Sequence, residues 1–397
     1  GWPTANNPLK INVATTMQEC NGVSLASTYV MSTGFTSISQ FPATYAGNSV
    51  LVTTTTSTNG LRGRTLVYDG WGYFFFWTDS TNIKYSYSEN EVTWSSPQNL
   101  SGLPAPNTGT KISAYLTTGP IKVLHVCAYN QCRGYIQDYS DPGTLTEYTA
   151  LTVDTYCGAS LDTTVQTIDI AYFYRQLVIS YRDDSNNVQV CLSQSPSWPA
   201  EEVDFTDAPT QLATSVVNDK MWVLSEGITS KVGYVFYLKG ASAPYTLYER
   251  RWDGSSWATE TSVTTDIANT FGVSFTTTEN KVHVAYRTAT GCEHRTRDKG
   301  SAGAWSASSG DLGICTGTDP NWKLDLTATY DNAGTVAPND GVMLFVGDTT
   351  TDMGVDYIEY DGDSWGSVTE LVDLDACGYA RCAPDGSFTV IRTEAER

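Results

Sequence analysis

Charged residues are scarce in this chain, and most of them are acidic. They make up 17% of the 397 residues, against an average of about 25%. Lysine and arginine together number 23, against 43 aspartates and glutamates, so the formal net charge is −20. Nucleic acids and anionic lipids both attract clustered basic residues. The charge balance therefore argues against a nucleic-acid partner and against docking on an anionic membrane.

Long apolar runs and helical periodicity are also missing. The longest apolar run, Tyr73–Trp77, has the length of a strand, whereas a membrane-crossing helix needs about 20 apolar residues. We therefore expect no membrane insertion. Heptad repeats are absent and 12% of the residues are aromatic, which excludes a coiled coil, a collagen-like chain and bulk disorder.

The patterns of metal and cofactor sites are absent as well. The chain has no Cys-x-x-Cys motif, and its three histidines, His125, His283 and His294, do not have ligand spacing. Neither a Gly-x-Ser-x-Gly motif nor a Ser-His-Asp arrangement is evident. We expect no metal and no cofactor, and we assign no catalytic residue.

What the chain does contain is a repeated strand pattern. Short runs rich in valine, tyrosine, phenylalanine and threonine alternate with turn residues, which is typical of β-strands. Five runs align on a terminal aromatic residue (Trp77, Tyr129, Tyr181, Tyr237 or Tyr286): Tyr73–Asp79, Lys122–Asn130, Gln176–Asp183, Lys231–Lys239 and Lys281–Thr288. Val346 and Ile391 continue this register.

A second aromatic marker follows each run by about twenty residues. Its gaps are 53, 54, 50, 59, 48 and 60 residues, with a mean of 54, between Phe41, Trp94, Tyr148, Trp198, Trp257, Trp305 and Trp365. Repeats of this length with four strands each are typical of β-propeller blades. The unit from Asn269 to Cys315 shows the four-strand pattern most clearly.

The sequence therefore predicts an all-β protein with one domain over residues 1–397, a seven-bladed β-propeller of four-stranded antiparallel blades. Residues 1–8 form an N-terminal arm, residues 61–374 form six blades, and residues 9–60 and 375–397 share the closing blade. Either Leu9–Thr16 or Phe388–Thr393 supplies strand two of that blade, and the sequence does not decide between them.

The nine cysteines indicate an oxidising compartment. In a propeller, the loop between strands two and three lies beside the loop to the next blade. Two pairs occupy these positions three blades apart, which predicts disulfides Cys132–Cys157 and Cys292–Cys315. A bridge from Cys20 to Cys377 or Cys382 would join the termini, while Cys127 and Cys191 are expected to be buried thiols.

One hairpin resembles the Asp-box of sialidase-type propellers, which reads Ser-x-Asp-x-Gly-x-Thr-Trp. Thr93 and Trp94 match it, and Glu89 replaces the aspartate. The Gly position holds Glu91 and the Ser position Tyr87.

Asp253–Trp257 and Asp361–Trp365 are partial forms of the same hairpin, and Tyr245–Trp257 looks like the repeats of propeller lectins that bind simple sugars. The resemblance implies the sialidase-like β-propeller superfamily. It also implies that these hairpins are turn devices away from the ligand face.

A sialidase would need an arginine cluster, a tyrosine nucleophile with a glutamate partner, and an acid/base aspartate. Arg182, Arg287 and Arg392 recur at one register, but no Arg-Ile-Pro motif is present. Asp79, Asp183 and Asp348 are the candidates for catalytic carboxylates, but the sequence favours loop capping and solvent exposure for aspartates at these positions. The sequence favours a binding protein over an enzyme, and any enzyme of this type would be a glycoside hydrolase.

Repeated pairs of an aromatic and a polar residue suit sugars, which present apolar faces and hydroxyl groups. We predict ligand-binding residues at one face of the ring: Trp77, Tyr181, Arg182, Tyr237, Tyr286, Arg287 and Arg392. The expected function is carbohydrate binding or adhesion on glycans and cell-surface glycoconjugates, by a secreted or surface-located protein. Self-assembly as a structural subunit of a surface layer, filament or virion is an alternative. A lone glycosylation motif at Asn99 fits a secreted chain.

Overall fold

The protein is described by a computed structural model. The described residues are 66–68, 71–78, 81–89, 93–103, 112–116, 123–128, 131–137, 141, 143–152, 167–173, 176–193, 209–225, 231–268, 270–276, 280–300, 303–315, 323–328, 341–347 and 355–372. The predicted arm and closing blade, at residues 1–60 and 375–397, lie outside these ranges. Every element in the described ranges is a β-strand.

The strands form six antiparallel sheets in chain order, which we call blades 1 to 6. The first three blades consist of Leu66–Tyr68 (β1), Tyr73–Thr78 (β2), Ile83–Ser88 (β3) and Gln98–Asn99 (β4); Ile112–Leu116 (β5), Leu124–Ala128 (β6), Gln131–Gln137 (β7) and Leu145–Thr152 (β8); and Ile168–Phe173 (β9), Gln176–Arg182 (β10), Val188–Leu192 (β11) and Thr210–Ala213 (β12).

The next three blades consist of Val216–Ser225 (β13), Gly233–Lys239 (β14), Tyr245–Trp252 (β15) and Thr261–Ile267 (β16); Phe271–Thr276 (β17), Lys281–Arg287 (β18) and Cys292–Asp298 (β19); and Lys323–Ala328 (β20), Val342–Gly347 (β21), Val355–Tyr360 (β22) and Thr369–Val372 (β23). Five blades thus have the predicted four strands. The expected strand-two runs are confirmed as β2, β6, β10, β14 and β18.

Blade 5 has three regular strands, and its fourth position is filled by an irregular segment at residues 303–315. Three N–H groups of this segment donate to carbonyl groups of β19: Ser306 to Thr296, Ser309 to His294 and Leu312 to Cys292 (2.8 to 3.0 Å). The donors are three residues apart along the segment, whereas the acceptors are two residues apart along β19. Because this spacing does not match that of a strand, the segment covers the edge of β19 without forming the expected fourth strand.

The hydrophobic core lies between consecutive blades. Strand-two side chains are buried on both faces, as in β2, whose six residues are all buried. One cluster joins Phe236 of blade 4 to Val284 of blade 5, and another joins Ala285 of blade 5 to Leu344 of blade 6. Each such side chain contributes about 1.5 to 3 kcal/mol when fully buried. Packing of successive sheets face to face is the arrangement of propeller blades.

The buried carboxylate of Asp169 connects the first strands of three blades. Its Oδ1 accepts the Ser113 hydroxyl of β5 (2.6 Å), and its Oδ2 accepts the Val223 N–H of β13 (2.7 Å). The Ile170 N–H donates to Oδ1 as well (3.0 Å). One side chain therefore fixes the spacing of blades 2, 3 and 4.

Replacement of Asp169 should destabilise these three blades. Asp169→Ala leaves buried donors on Ser113 and Val223 without their acceptor, so we expect the free energy of unfolding to fall by about 2 to 3 kcal/mol. Urea denaturation measures this change. Asp325→Ala is the matched control, because Asp325 bonds the next N–H in the same way but its side chain is exposed. Equal losses in both variants would contradict the bridging role of Asp169.

The disulfides confirm one prediction and correct another. Cys292 is bonded to Cys315, as expected, with their Cα atoms 5.4 Å apart. The predicted Cys132–Cys157 bridge is wrong, because Cys132 is bonded to Cys127, which lies directly opposite it across the β6–β7 hairpin with a Cα separation of 4.0 Å.

The expectation of buried thiols at Cys127 and Cys191 is wrong, since both are disulfide-bonded. The predicted positions Cys157, Cys20 and Cys377 lie outside the described residues.

The hairpins after β15 and β22 use an aspartate as a turn device. The Asp253 carboxylate accepts the N–H groups of Ser255 and Ser256, each at 2.8 Å. These hydrogen bonds hold the pKa of Asp253 well below its usual range. Asp361 receives the equivalent pair of bonds. The carboxylates are therefore occupied by their own turns, as the sequence interpretation expected.

Candidate functional site

The predicted aromatic ligand platform is not available to a ligand at the ring faces. Trp77, Tyr181, Tyr237 and Tyr286 are each 0% exposed. Their rings pack between blades, as when Tyr181 joins the cluster between blades 2 and 3. Repeated aromatics at this register therefore form the core, and stacking of sugars on these faces is a wrong expectation for the folded chain.

The predicted arginines are also buried. The Arg182 Nε donates to the carbonyl of Val216 at 3.3 Å, and a second guanidinium nitrogen donates to the side chain of Asn186. Arg287 is 2% exposed, and Arg392 lies outside the described residues. Arg182 thus holds a loop and the start of β13 in place.

Among the carboxylates considered for catalysis, Asp183 is used by its own loop. One oxygen accepts the N–H groups of Ser185 and Asn187, and the other accepts the side chains of Asn187 and Gln189 (2.8 to 3.0 Å). This arrangement is that of a loop-capping aspartate. Asp79 and Asp348 lie outside the described residues.

A polar cluster forms around the buried hydroxyl group of Tyr286. Glu293 lies directly opposite Tyr286 on β19, and its Oε2 accepts the tyrosine hydroxyl at 2.9 Å. The Nε of Arg295 donates to the same hydroxyl oxygen at 3.1 Å. Ser308, on the irregular segment, donates to Glu293. We call these four residues the blade-5 cluster.

The blade-5 cluster combines the groups that recognise hydroxyl-rich ligands. Glu293, Arg295 and Ser308 are partly exposed, whereas the ring of Tyr286 is buried beneath them. A carboxylate accepts hydrogen bonds and a guanidinium donates them, and bonds to charged groups are the stronger ones. The cluster can therefore bind a polar neutral molecule through several directed hydrogen bonds.

Blade 4 carries a related cluster at the equivalent tyrosine. The Tyr237 hydroxyl donates to Oε2 of Glu260 at 2.7 Å, and Lys239 forms an ion pair with the same carboxylate at 2.6 Å. The Lys239 ammonium also lies 5.0 Å from the ring centroid of Tyr248. We call these four residues the blade-4 cluster.

The electrostatics of the blade-4 cluster favour hydrogen bonding over nucleophilic chemistry. Burial, followed by the hydrogen bond to Glu260 and the charge of that carboxylate, raises the pKa of Tyr237 far above its usual range. The hydroxyl therefore stays protonated. A nucleophilic tyrosine would need the opposite shift, because the phenolate is the reactive form.

Sequence reasoning missed Glu293, Arg295, Ser308, Glu260 and Lys239. Their signal was the strand register, because an antiparallel hairpin places Glu293 opposite Tyr286 and brings the next outward residue, Arg295, near the same hydroxyl. Ser308 and Glu260 carried no such signal. They approach through an irregular segment and through the residue before β16, respectively.

Two kinds of feature are absent from the described ranges. No group of three or more His, Cys, Asp and Glu residues within those ranges is arranged to hold a metal ion. In the same part of the chain, no helix has both the length and the apolar character needed to cross a bilayer.

No protein-family model matches the chain, and no curated protein matches it. Solved structures do resemble it. AofleA from Arthrobotrys oligospora has a TM-score of 0.51 at 11% identity, covering 80% of this chain and 88% of that one. The SapL1 lectin, solved in complex with alpha methyl fucoside, has a TM-score of 0.50 at 13% identity, with coverages of 80% and 97%.

The NanB sialidase from Streptococcus pneumoniae is a more distant neighbour, with a TM-score of 0.39 at 12% identity and coverages of 82% and 64%. At such identities the similarity concerns the fold alone. The two neighbours with TM-scores of 0.50 and 0.51, together with the successive antiparallel sheets, indicate an all-β protein of propeller architecture.

Proposed function

We propose that this chain is a carbohydrate-binding propeller that engages neutral, hydroxyl-rich sugars of glycans at the blade-5 cluster. The observation that carries the proposal is the group of a carboxylate, a guanidinium and two hydroxyls at a partly exposed edge of the core. The complex of the SapL1 lectin with alpha methyl fucoside supports a sugar as the ligand class. In this proposal Glu293, Arg295 and Ser308 contact the sugar, and the buried Tyr286 hydroxyl orients Glu293 and Arg295 through its hydrogen bonds.

The finer features of the sequence prediction form part of the same proposal. A seventh blade shared between the termini closes the ring, and the protein acts outside the cell in adhesion. The disulfides at Cys127–Cys132 and Cys292–Cys315 support an oxidising compartment. In this proposal binding proceeds without turnover of the glycan; burial raises the pKa of Tyr237 in the blade-4 cluster, which keeps that hydroxyl protonated and poorly nucleophilic.

A glycan array with the purified, oxidised chain tests the ligand class. We expect specific binding of neutral glycans and no hydrolysis of chromogenic glycosides by the same preparation. Binding confined to anionic glycans would contradict the proposed cluster, because its one arginine is balanced by Glu293. A blank array at high protein concentration would contradict carbohydrate binding as a whole.

Glu293→Gln should weaken binding of the glycan identified on the array about tenfold or more. The substitution keeps the shape of the side chain but removes its charge, and a hydrogen bond to a charged group contributes about 1.5 to 3 kcal/mol. Titration calorimetry measures the dissociation constant. Glu359→Gln is the matched control, because Glu359 is exposed on β22 of blade 6. Equal affinities for the parent protein and Glu293→Gln would overturn the assignment of the site.

A further inference from the structure

Asn99 lies on the outermost strand of blade 1, with its side chain exposed. Its backbone pairs with Lys84 of β3. Among the described residues, the carboxamide of Asn99 takes part in no hydrogen bond. The side-chain nitrogen therefore faces solvent from a position fixed by the sheet.

The two residues after Asn99 are anchored to the neighbouring strands, and a bend begins at Ser101. Leu100 is buried and its N–H donates to the carbonyl of Ile83 at 2.8 Å. The side chain of Ser101 is exposed, and its carbonyl accepts the Tyr135 hydroxyl of blade 2 at 2.6 Å. The anchoring groups are thus the buried Leu100 and the backbone of Ser101, and they leave the side chains of Asn99 and Ser101 accessible.

Asn99-Leu100-Ser101 is the one Asn-x-Ser/Thr motif in the 397 residues. We propose that Asn99 is a site of N-linked glycosylation. The donor is an oligosaccharide linked to a polyprenyl pyrophosphate. The Asn99 Nδ2 forms a bond to the anomeric carbon, the bond from that carbon to the phosphate oxygen breaks, the polyprenyl pyrophosphate leaves, and a base takes one amide proton.

The disulfides support passage of the chain through an oxidising secretory compartment, as glycosylation requires. Cys127–Cys132 and Cys292–Cys315 form in oxidising compartments such as the endoplasmic reticulum lumen, where this transfer also takes place. The attached glycan would stand at the outer rim of blades 1 and 2.

Its place at this rim separates the modification from the proposed sugar-binding site. The blade-5 cluster belongs to blade 5, on the face that packs against blade 4, whereas Asn99 belongs to blade 1. Removal of the glycan should therefore leave binding by the blade-5 cluster unchanged. Failure of the binding proposal would not affect the glycosylation proposal.

The test directs the full chain through the secretory pathway of a eukaryotic cell and analyses the secreted protein. We expect intact mass spectrometry to show one N-glycan, and enzymatic deglycosylation to convert Asn99 to aspartate in the corresponding peptide. Asn99→Gln and Ser101→Ala should each lose the glycan completely, whereas Ser101→Thr should keep it.

Asn99→Gln should also keep the thermal midpoint of the deglycosylated parent protein, since the side chain is exposed. An unmodified Asn99 in the secreted, disulfide-bonded protein would overturn the proposal. Retention of the glycan in Asn99→Gln would overturn it as well, because the modification would then lie elsewhere.

Discussion

Arg297→Met should lower the free energy of unfolding by about 3 to 5 kcal/mol, because it leaves a buried carboxylate without its counter-charge. Arg297 of β19 pairs with Glu249 of β15, and the side chains are only 3% and 2% exposed. One of the two nitrogen–oxygen contacts measures 2.6 Å. The pair joins blade 4 to blade 5, so its loss should separate these blades first.

Two aromatic rings flank the Arg297 guanidinium in the buried contact between blades 4 and 5. The Arg297 guanidinium carbon lies 4.8 Å from the ring centroid of Trp305 and 5.5 Å from that of Tyr234. Burial raises the pKa of Glu249, and the charge and hydrogen bonds of Arg297 oppose that rise. Without Arg297 the carboxyl group will take up a proton more readily, so the deficit of the variant should shrink as the pH falls.

The double variant Arg297→Met with Glu249→Met separates the charge from the packing. Replacement of a whole buried ion pair by apolar residues of similar size is often neutral or stabilising. We therefore expect the double variant to recover most of the stability lost by Arg297→Met, as measured by urea denaturation at neutral pH. If the double variant is as unstable as the single one, the loss comes from packing and not from the unpaired charge.

The second large effect is a loss of stability between pH 6.5 and 4. All three histidines of the chain are buried, and their burial lowers the pKa from 6.5 to about 4 for His125, to about 3 for His294, and well below the usual range for His283. A proton on any of them would place a cation between blades. The folded protein therefore resists protonation that the unfolded chain accepts.

The histidines occupy two contacts between blades. His125 lies between blades 2 and 3, and neither of its ring nitrogens has a hydrogen-bond partner among the described residues. His283 and His294 lie between blades 5 and 6, where the Nδ1 of the first is 3.0 Å from the Nε2 of the second. Tyr360 and Trp365 cover this pair, and the nearby charge of Lys281 lowers both pKa values further.

The sign follows from the lowered pKa values. Above pH 6.5 both states are neutral at histidine, so the stability is fully present; as the pH falls, the unfolded chain binds protons first and the stability declines. His125 alone should cost about 3 kcal/mol by pH 4, since each pKa unit corresponds to about 1.4 kcal/mol. Together the three histidines should remove at least about 5 kcal/mol, a large part of the stability of a typical domain.

Three described carboxyl groups have shifted pKa values and act outside this window or in the opposite direction. The pKa values of Asp253 and Asp361 lie below their usual 3.8, so these groups lose their contribution only at lower pH. The raised pKa of Glu249 favours the folded state as the pH falls. A decline between pH 6.5 and 4 is therefore the effect that we predict from the histidines.

His125→Leu provides the control for this assignment, because leucine fills the apolar site without titrating. Urea denaturation across pH 7.5 to 4 should give the variant a shallower decline than the parent protein, by about 1.4 kcal/mol per pH unit for one proton. Parallel curves for the two proteins would show that His125 binds its proton equally well in the folded and unfolded states, which would contradict the effect of its burial.

The strand-two runs could be predicted from the sequence because the property that defines them is local. Alternating turn residues and short apolar runs determine where strands begin and end, and β10 and β18 begin at the expected residues. The repeat likewise indicated the Cys292–Cys315 bridge, because β19 begins at Cys292.

The same reasoning was wrong for Cys132 and for the fourth strand of blade 5. Cys132 has a partner five residues earlier, which depends on how tightly one hairpin turns and not on the repeat. Trp305 marks the expected unit, yet residues 303–315 follow β19 with mismatched spacing. Aligning the repeats shows what the blades share, so it does not reveal where a single blade departs from the common pattern.

The sequence by itself determined that the chain is a series of antiparallel sheets with an aromatic residue at a repeated place in each. Only the tertiary structure decided what those aromatics do. Strand-two residues are covered by a neighbouring blade on both faces, so Trp77, Tyr181 and Tyr237 lose their solvent contact. The polar side chains that remain partly exposed beside the packed core, such as Glu293 and Arg295, are therefore the ones that can contact a ligand. Their meeting depends on strand register and blade contact, which arise from packing between segments distant in the chain.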